Sequence, residues 1–380
     1  MPRRAHKKSR NGCAECKRRH IKELTDLKCD EKHPICSHCI TSERPCFYID
    51  GPSRDHTPTQ RASSKPRAIP KSPNGESIDS EDVSPVNMMH VELLHHLTSE
   101  SQSIFCIDST YANVSFTEIL KHCLSAPYLM DEALAISSLH LSITRPDQQQ
   151  IYRYRASHMQ THALSIFNTM KPEVNMDSCI AVFMFSSLLG IYMLCDTLVF
   201  RSGTFDDFLD SFTQYIRVHQ GVRAVINGSW DYLRQTELGP FLNIADSLQE
   251  ANNSAPKEFE NLLSLTESVD MEDSTSEAYH HAIMSLQGVM AAAKTTSASP
   301  SVIIAWPVIV KAEYIDLLSR RQPEALVILA HYAVLLHSRR DHWIFGDGGG
   351  YIIESINMFL GPAWATCLSW PNESLQQEAT

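Results

Sequence analysis

The chain has 380 residues and a formal net charge of −11, with 33 Lys+Arg against 44 Asp+Glu. Residues 1–71 hold 17 basic and 8 acidic residues, a net of +9; the remainder holds 33 − 17 = 16 basic and 44 − 8 = 36 acidic residues, a net of −20. A cationic head on an anionic body excludes uniform repulsion from polyanions, and suits nucleic-acid binding through the head, where cations displace counterions from phosphate. Met1-Pro2-Arg3-Arg4 leads into further charge with no apolar stretch following, so export is not expected. Arg3, Arg4, Lys7, Lys8 and Arg10 suit a nuclear import signal.

Six cysteines follow: Cys13, Cys16, Cys29, Cys36, Cys39 and Cys46, spaced C-x2-C-x12-C-x6-C-x2-C-x6-C. A CxxC pair lets two sulfurs face one ion across a short turn, and structural zinc closes with four sulfur or nitrogen ligands. Six ligands fill two such sites only if two sulfurs are shared, and the order pair, single, pair, single suits that arrangement. The competing readings are a disulfide framework, which needs an oxidising compartment, and six unrelated thiols, which so dense a cluster disfavours. Lys17, Arg18, Arg19, His20 and Lys22 fill the gap after the first pair. Chelating thiolates wrapped in cations point to a zinc-built DNA-binding module.

The stretch CAECKRRH…CDEKHPICSHCITSERPC resembles the fungal binuclear zinc cluster of two-zinc, six-cysteine transcription factors. The resemblance covers about 35 residues and implies two zinc ions bridged by Cys13 and Cys36. It implies that Cys16 and Cys29 complete one site, and Cys39 and Cys46 the other. It also implies a short helix entering the major groove at a CGG-type triplet, with Arg19 and His20 near the bases and Lys17, Arg18 and Lys22 on phosphates. Pro34 falls at the family's turn between the two halves.

One departure stands out. The family has six residues between the second and third cysteines, and this chain has twelve. If Glu23-Leu24-Thr25-Asp26-Leu27-Lys28 simply lengthened the helix, Cys29 would move by about 9 Å and turn by about 240°. The extra residues must therefore loop out, or the first zinc site is damaged. A misplaced splice boundary is favoured over a functional insertion, and both stay open.

Residues 51–85 hold six prolines and seven serines but few large aliphatics, so they read as a flexible linker spanning on the order of 30 Å. No sustained heptad follows, so a monomeric or weakly associated DNA-binding unit is expected. From residue 86 to 380 the pattern is all-α. In 151–171, Tyr152, Ala156, Met159, Ala163, Ile166, Phe167 and Met170 recur at helical steps, with charge on the other face. Similar stripes run through 87–104, 129–143, 206–226, 280–294 and 323–339. Pro146, Pro172, Pro240 and Pro300 read as breaks, and Pro323 suits a first turn. Residues 178–195 are apolar and uncharged, barely long enough to span a bilayer; a buried central helix is the reading adopted, with no stable membrane span. Cys106, Cys123, Cys179, Cys195 and Cys367 lack metal spacing and read as small buried hydrophobes.

HVELLHHLTSE, the run PYLMDEALAISSLHLSITRPDQQQIYRYRASHMQTHALSIFN, HWIFGDGGGYIIESINMFLGPAW and the late Trp370-Pro371 resemble the regulatory domain of sterol uptake control proteins and related factors. This diffuse likeness implies a helical domain that activates or represses transcription and, in some members, holds a sterol. His90 and the adjacent pair His95 and His96 read as surface or capping residues. Gly346-Asp347-Gly348-Gly349-Gly350 lacks the Lys-Ser/Thr of a phosphate loop and reads as a flexible helix–helix turn. Asp206-Asp207 and Glu272-Asp273 are acidic patches suited to coregulators, with solvated faces as the plainer reading. No G-x-S-x-G, HExxH or catalytic carboxylate pair appears, so an enzyme is not expected.

The expectation is therefore a nuclear, zinc-dependent regulator of RNA polymerase II genes, controlling sterol homeostasis or a secondary-metabolite cluster. Its parts are a DNA-binding domain over 1–50, a linker over 51–85 and a helical regulatory domain over 86–380. The alternative is a ligand-binding or interaction protein whose cluster is disabled by residues 23–28.

Overall fold

The computed structural model describes residues 12–13, 15–16, 29, 31, 36, 39 and 46, then 86–105, 116–236, 238–239, 259–264, 272–295 and 300–376. The chain divides into two compact units, Met1–Asp82 and Val83–Thr380. The expected linker at 51–85, the import signal, Pro34, Pro240 and Cys106 lie outside the described residues. Among the described residues no strand occurs, and the second unit is helical as the apolar periodicities require.

Helix α1 spans Met88–Ser99 and begins where the Asn87 side chain accepts from the N–H groups of Met89 and His90 at 3.1 and 3.4 Å. Its Leu93 and Leu97, four apart, face the core. Helix α2 is Phe116–Ser125, and α3 is Pro127–Thr144, opened by a proline in its first turn. Helix α3 is buried from Leu129 to Ser142 apart from Met130 and Asp131, and packs on α1, α2, α4 (Gln149–Met170) and α5 (Cys179–Val199). In α4 the buried face is Tyr152, Ala156, Met159 and Ala163. Met170, expected on that face, is exposed, because the helix ends there and Lys171 turns the chain out at φ +43°. Helix α5 is long and apolar enough to cross a membrane by length and composition, but 78% of its apolar window is buried inside this unit. It fills the centre of the helical body.

Helix α6 (Phe205–Ile226) crosses α5, and α7 (Asp273–Thr295) packs on α8 (Pro300–Ile309), α9 (Ala312–Ser319) and α10 (Pro323–Ser338). Pro300, read as a break between helical stripes, lies at the boundary between α7 and α8 and takes the first position of α8, where its fixed φ and missing N–H cost nothing. Helix α10 is buried from Ala325 to Leu336 and carries α11 (Gly348–Leu360) and α12 (Ser369–Ser374) on its flank.

Buried polar groups tie helices together. Ser137 Oγ donates to Leu93 O and Ser138 Oγ to Tyr152 O, both at 2.8 Å; Trp306 Nε1 donates to Ala282 O at 3.0 Å. Glu132 is one exception among the described residues: it is fully buried in α3, and neither carboxyl oxygen has a partner.

Two sequence expectations change here. The glycine run is not a flexible turn throughout. Gly346 turns the chain at φ +47°, but Gly348-Gly349-Gly350 form the first turn of α11. A Cβ on Gly349 would sit 2.3 Å from His337 N and 2.6 Å from Ala333 O, so glycine lets α11 lie against the α10 backbone. His96 is not a surface histidine either. Its Nε2 is 2.8 Å from His140 Nδ1 in α3, the rings stack, and Trp343 meets His140 edge-on. His90 and His95 are exposed. Of the other cysteines, Cys123, Cys179 and Cys195 are buried and Cys367 half-buried.

Candidate metal centre

The first unit is organised by its cysteines. In each CxxC pair the second residue's amide points back to the first sulfur: Cys16 N–H donates to Cys13 Sγ, and Cys39 N–H to Cys36 Sγ, both at 3.4 Å. The lone cysteines complete a repeat of this pattern. Cys13 N–H donates to Cys29 Sγ at 3.4 Å, and Cys36 N–H to Cys46 Sγ at 3.3 Å. Each half of the sequence motif, pair then single, thus folds to the same local arrangement. Cys29 reaches Cys13 across the twelve-residue gap, so the extra residues do not carry it away as a longer helix would.

The halves meet through sulfur. Cys13 Sγ lies 3.8 Å from Cys36 Sγ and 3.7 Å from Cys39 Sγ, while Cys16 Sγ lies 3.8 and 3.9 Å from the same two atoms. All four ligand atoms fall within 4.8 Å of one another. Tetrahedral zinc–thiolate bonds of about 2.3 Å place sulfurs about 3.8 Å apart, so the donor set fits zinc. A disulfide needs about 2.05 Å, and the six cysteines are free. Cys13 and Cys36 are completely buried; Cys13 Sγ approaches those of Cys36 and Cys39, and Cys36 Sγ those of Cys13 and Cys16.

The protonation pattern also fits a cation. Burial opposes ionisation of Cys13, but the Cys16 N–H and the Cys16, Cys46 and Cys39 thiols around it lower the thiol to about 6. Burial is the first cause that pushes Cys46 up to about 11, and it pushes Cys16 and Cys39 up as well. One thiolate makes further charge costly at this spacing unless a positive ion shares it.

Lys17, Arg18, Arg19, His20 and Lys22, expected on DNA, lie outside the described residues. Sequence reasoning missed Glu15, which is buried within the first pair. Nothing in a CxxC motif marks an intervening residue for burial.

No family model matches the chain, and no solved structure matches it. A Zn(2)-C6 fungal-type transcription factor of Gibberella zeae is 24% identical over 443 residues, covering 97% of this chain and 86% of its own length. The Zn(2)-C6 fungal-type transcription factor afumD of Aspergillus fumigatus is 26% identical over 348 residues, covering 88% and 86%. Along most of its length the chain is similar to Zn(2)-C6 fungal-type transcription factors. Sterol uptake control protein 2 of Candida albicans is 42% identical, but over 50 residues, 13% of this chain and 6% of that protein. That segment is far shorter than the helical body, so the two longer matches carry the similarity along the chain. The clustered sulfurs of the first unit agree with the Zn(2)-C6 in the names of these relatives.

Proposed function

We propose that the protein is a nuclear, sequence-specific DNA-binding regulator of RNA polymerase II genes, built on two zinc ions held by Cys13, Cys16, Cys29, Cys36, Cys39 and Cys46. The observation that carries this reading is the repeated pair-and-single sulfur arrangement, which includes Cys29 despite the long gap. Bound zinc would supply the cross-links that a segment of this size lacks in apolar residues. The family's bridging role falls on Cys13 and Cys36, whose sulfurs lie 3.8 Å apart and are completely buried.

Arg19 and His20 contact base edges of a CGG-type element, where arginine pairs bidentately with guanine O6 and N7. Lys17, Arg18 and Lys22 orient the helix through phosphates. The helical body converts a coregulator or a lipophilic, sterol-like ligand into activation or repression. The test is a gel-shift titration with the full chain on CGG-containing duplexes and single-base variants. Arg19→Ala weakens binding by about 1–3 kcal/mol and relaxes discrimination at the triplet. Unchanged binding and unchanged discrimination would remove the assigned role.

A further inference from the structure

One surface of the helical body carries neighbouring exposed apolar side chains: the corner where the end of α11 meets the start of α6. Met358 is 78% exposed and Phe359 49%. Large apolar side chains left in water side by side mark an interaction surface more often than scattered single ones do. They rest on a firm base. The Phe359 ring lies 5.9 Å from that of Phe205, Phe205 stacks on Phe208 at 6.2 Å, and Phe208 meets Tyr351 edge-on at 5.3 Å. The platform is therefore ordered before any partner arrives, which limits the entropy lost on binding.

Charge selects the partner. Asp206 and Asp207 follow Phe205 directly, Asp210 lies one turn further along α6, and Glu354 precedes Met358 by four residues on the same side of α11. Arg321 binds Asp206 Oδ1 at 2.9 Å and Asp210 Oδ1 at 2.7 Å. Asp207 Oδ2 accepts from the Thr204 N–H and hydroxyl at 2.8 and 2.7 Å. Four carboxylates against one guanidinium, 4 − 1 = 3, leave a net negative rim around an apolar centre. Such a rim repels nucleic acid and a second copy of the same corner, and attracts cations.

We propose that this corner docks an amphipathic segment of another protein. That segment places an apolar side chain on Met358 and Phe359, and Lys or Arg over Asp206, Asp207, Asp210 and Glu354. The partner's chemistry is the helix-in-groove kind, an apolar stripe flanked by basic residues. This docking makes no use of the cysteine centre or of DNA, so it stands or falls separately from the function proposed above.

The test uses a short fluorescein-labelled Leu/Lys amphipathic peptide as probe, and the zinc-loaded full chain, followed by fluorescence anisotropy. Saturable binding is expected, weakened about fivefold or more by Met358→Ser/Phe359→Ser and by Glu354→Lys. Leu124→Ser, at another exposed apolar side chain of the body, leaves it unchanged. A Leu/Glu peptide of the same length does not bind. Absence of saturable binding, survival of binding in either corner variant, or an equal loss in Leu124→Ser overturns the proposal. Duplex binding by the same variants reads the DNA function independently, and circular dichroism melts confirm that these surface substitutions leave the fold intact.

Discussion

The cysteine unit and the helical body solve the problem of staying folded in opposite ways. Among the described residues of the first unit, the packed apolar cluster consists of cysteines alone, joined by N–H···S and sulfur–sulfur approaches. The body encloses a continuous core running from Leu93 to Leu368, with two helices, α3 and α10, buried along most of their length. Small domains without enough apolar area depend on metals or disulfides, whereas a body of this size does not. One chain thus holds a unit whose order is chemical and a unit whose order is hydrophobic.

The largest effect that separates the two comes from metal removal. A strong chelator, or Cys36→Ser at a sulfur 3.8 Å from those of Cys13 and Cys16, is expected to abolish CGG-duplex binding in a gel shift while the body's thermal transition stays in place. Loss of both together would erase the contrast. The converse substitution acts on the body alone. Gly349→Ala forces a methyl group against the α10 backbone and is expected to cost about 3 kcal/mol of stability in denaturant titrations. Zinc content should not change.

Buried ionisable groups give the body a pH dependence of its own. Burial pushes the Glu132 carboxyl up to about 8, with the neighbouring Asp131 charge adding to it. Between the ordinary carboxylate range and pH 8 the folded state holds a proton that the unfolded chain has released, so this group lowers stability as pH rises. Glu132→Gln is therefore expected to stabilise the body by about 2 kcal/mol at pH 8 and by much less at pH 5. A gain that ignores pH would contradict the assignment. Histidines act with the opposite sign and a smaller effect. Burial holds His140 at about 4, with the His96 and His342 charges adding to it. The unfolded chain binds that proton first, so stability falls as pH drops from about 6.5 toward 4. His140→Phe should flatten that part of the melting-temperature profile by about 1 kcal/mol.

How much the sequence disclosed follows the same division. The stripes at 129–143, 151–171, 206–226, 280–294 and 323–339 fall within or largely overlap α3, α4, α6, α7 and α10, because each repeats apolar residues at helical steps over several turns. Helices α8 and α9 were not legible. Each is short, and α8 is apolar on all sides and carries Pro307 inside it. The glycine run was misread because spacing says nothing about which backbone lies opposite, and only the approach to His337 explains it. His96 looked like a surface residue because its partner His140 is 44 residues away. In the cysteine unit the grouping of Cys13, Cys16, Cys36 and Cys39 is legible from the two CxxC pairs, whereas the approach of Cys29 to Cys13 across a gap of twelve residues is not.

Zinc stoichiometry tests the central claim most directly. Four sulfurs, those of Cys13, Cys16, Cys36 and Cys39, suffice in geometry to close around one ion, and a second ion requires Cys29 and Cys46. Native mass spectrometry of the purified full chain should give two zinc ions per molecule, falling in Cys29→Ser and in Cys46→Ser. A single zinc per chain that neither substitution disturbs would contradict the account.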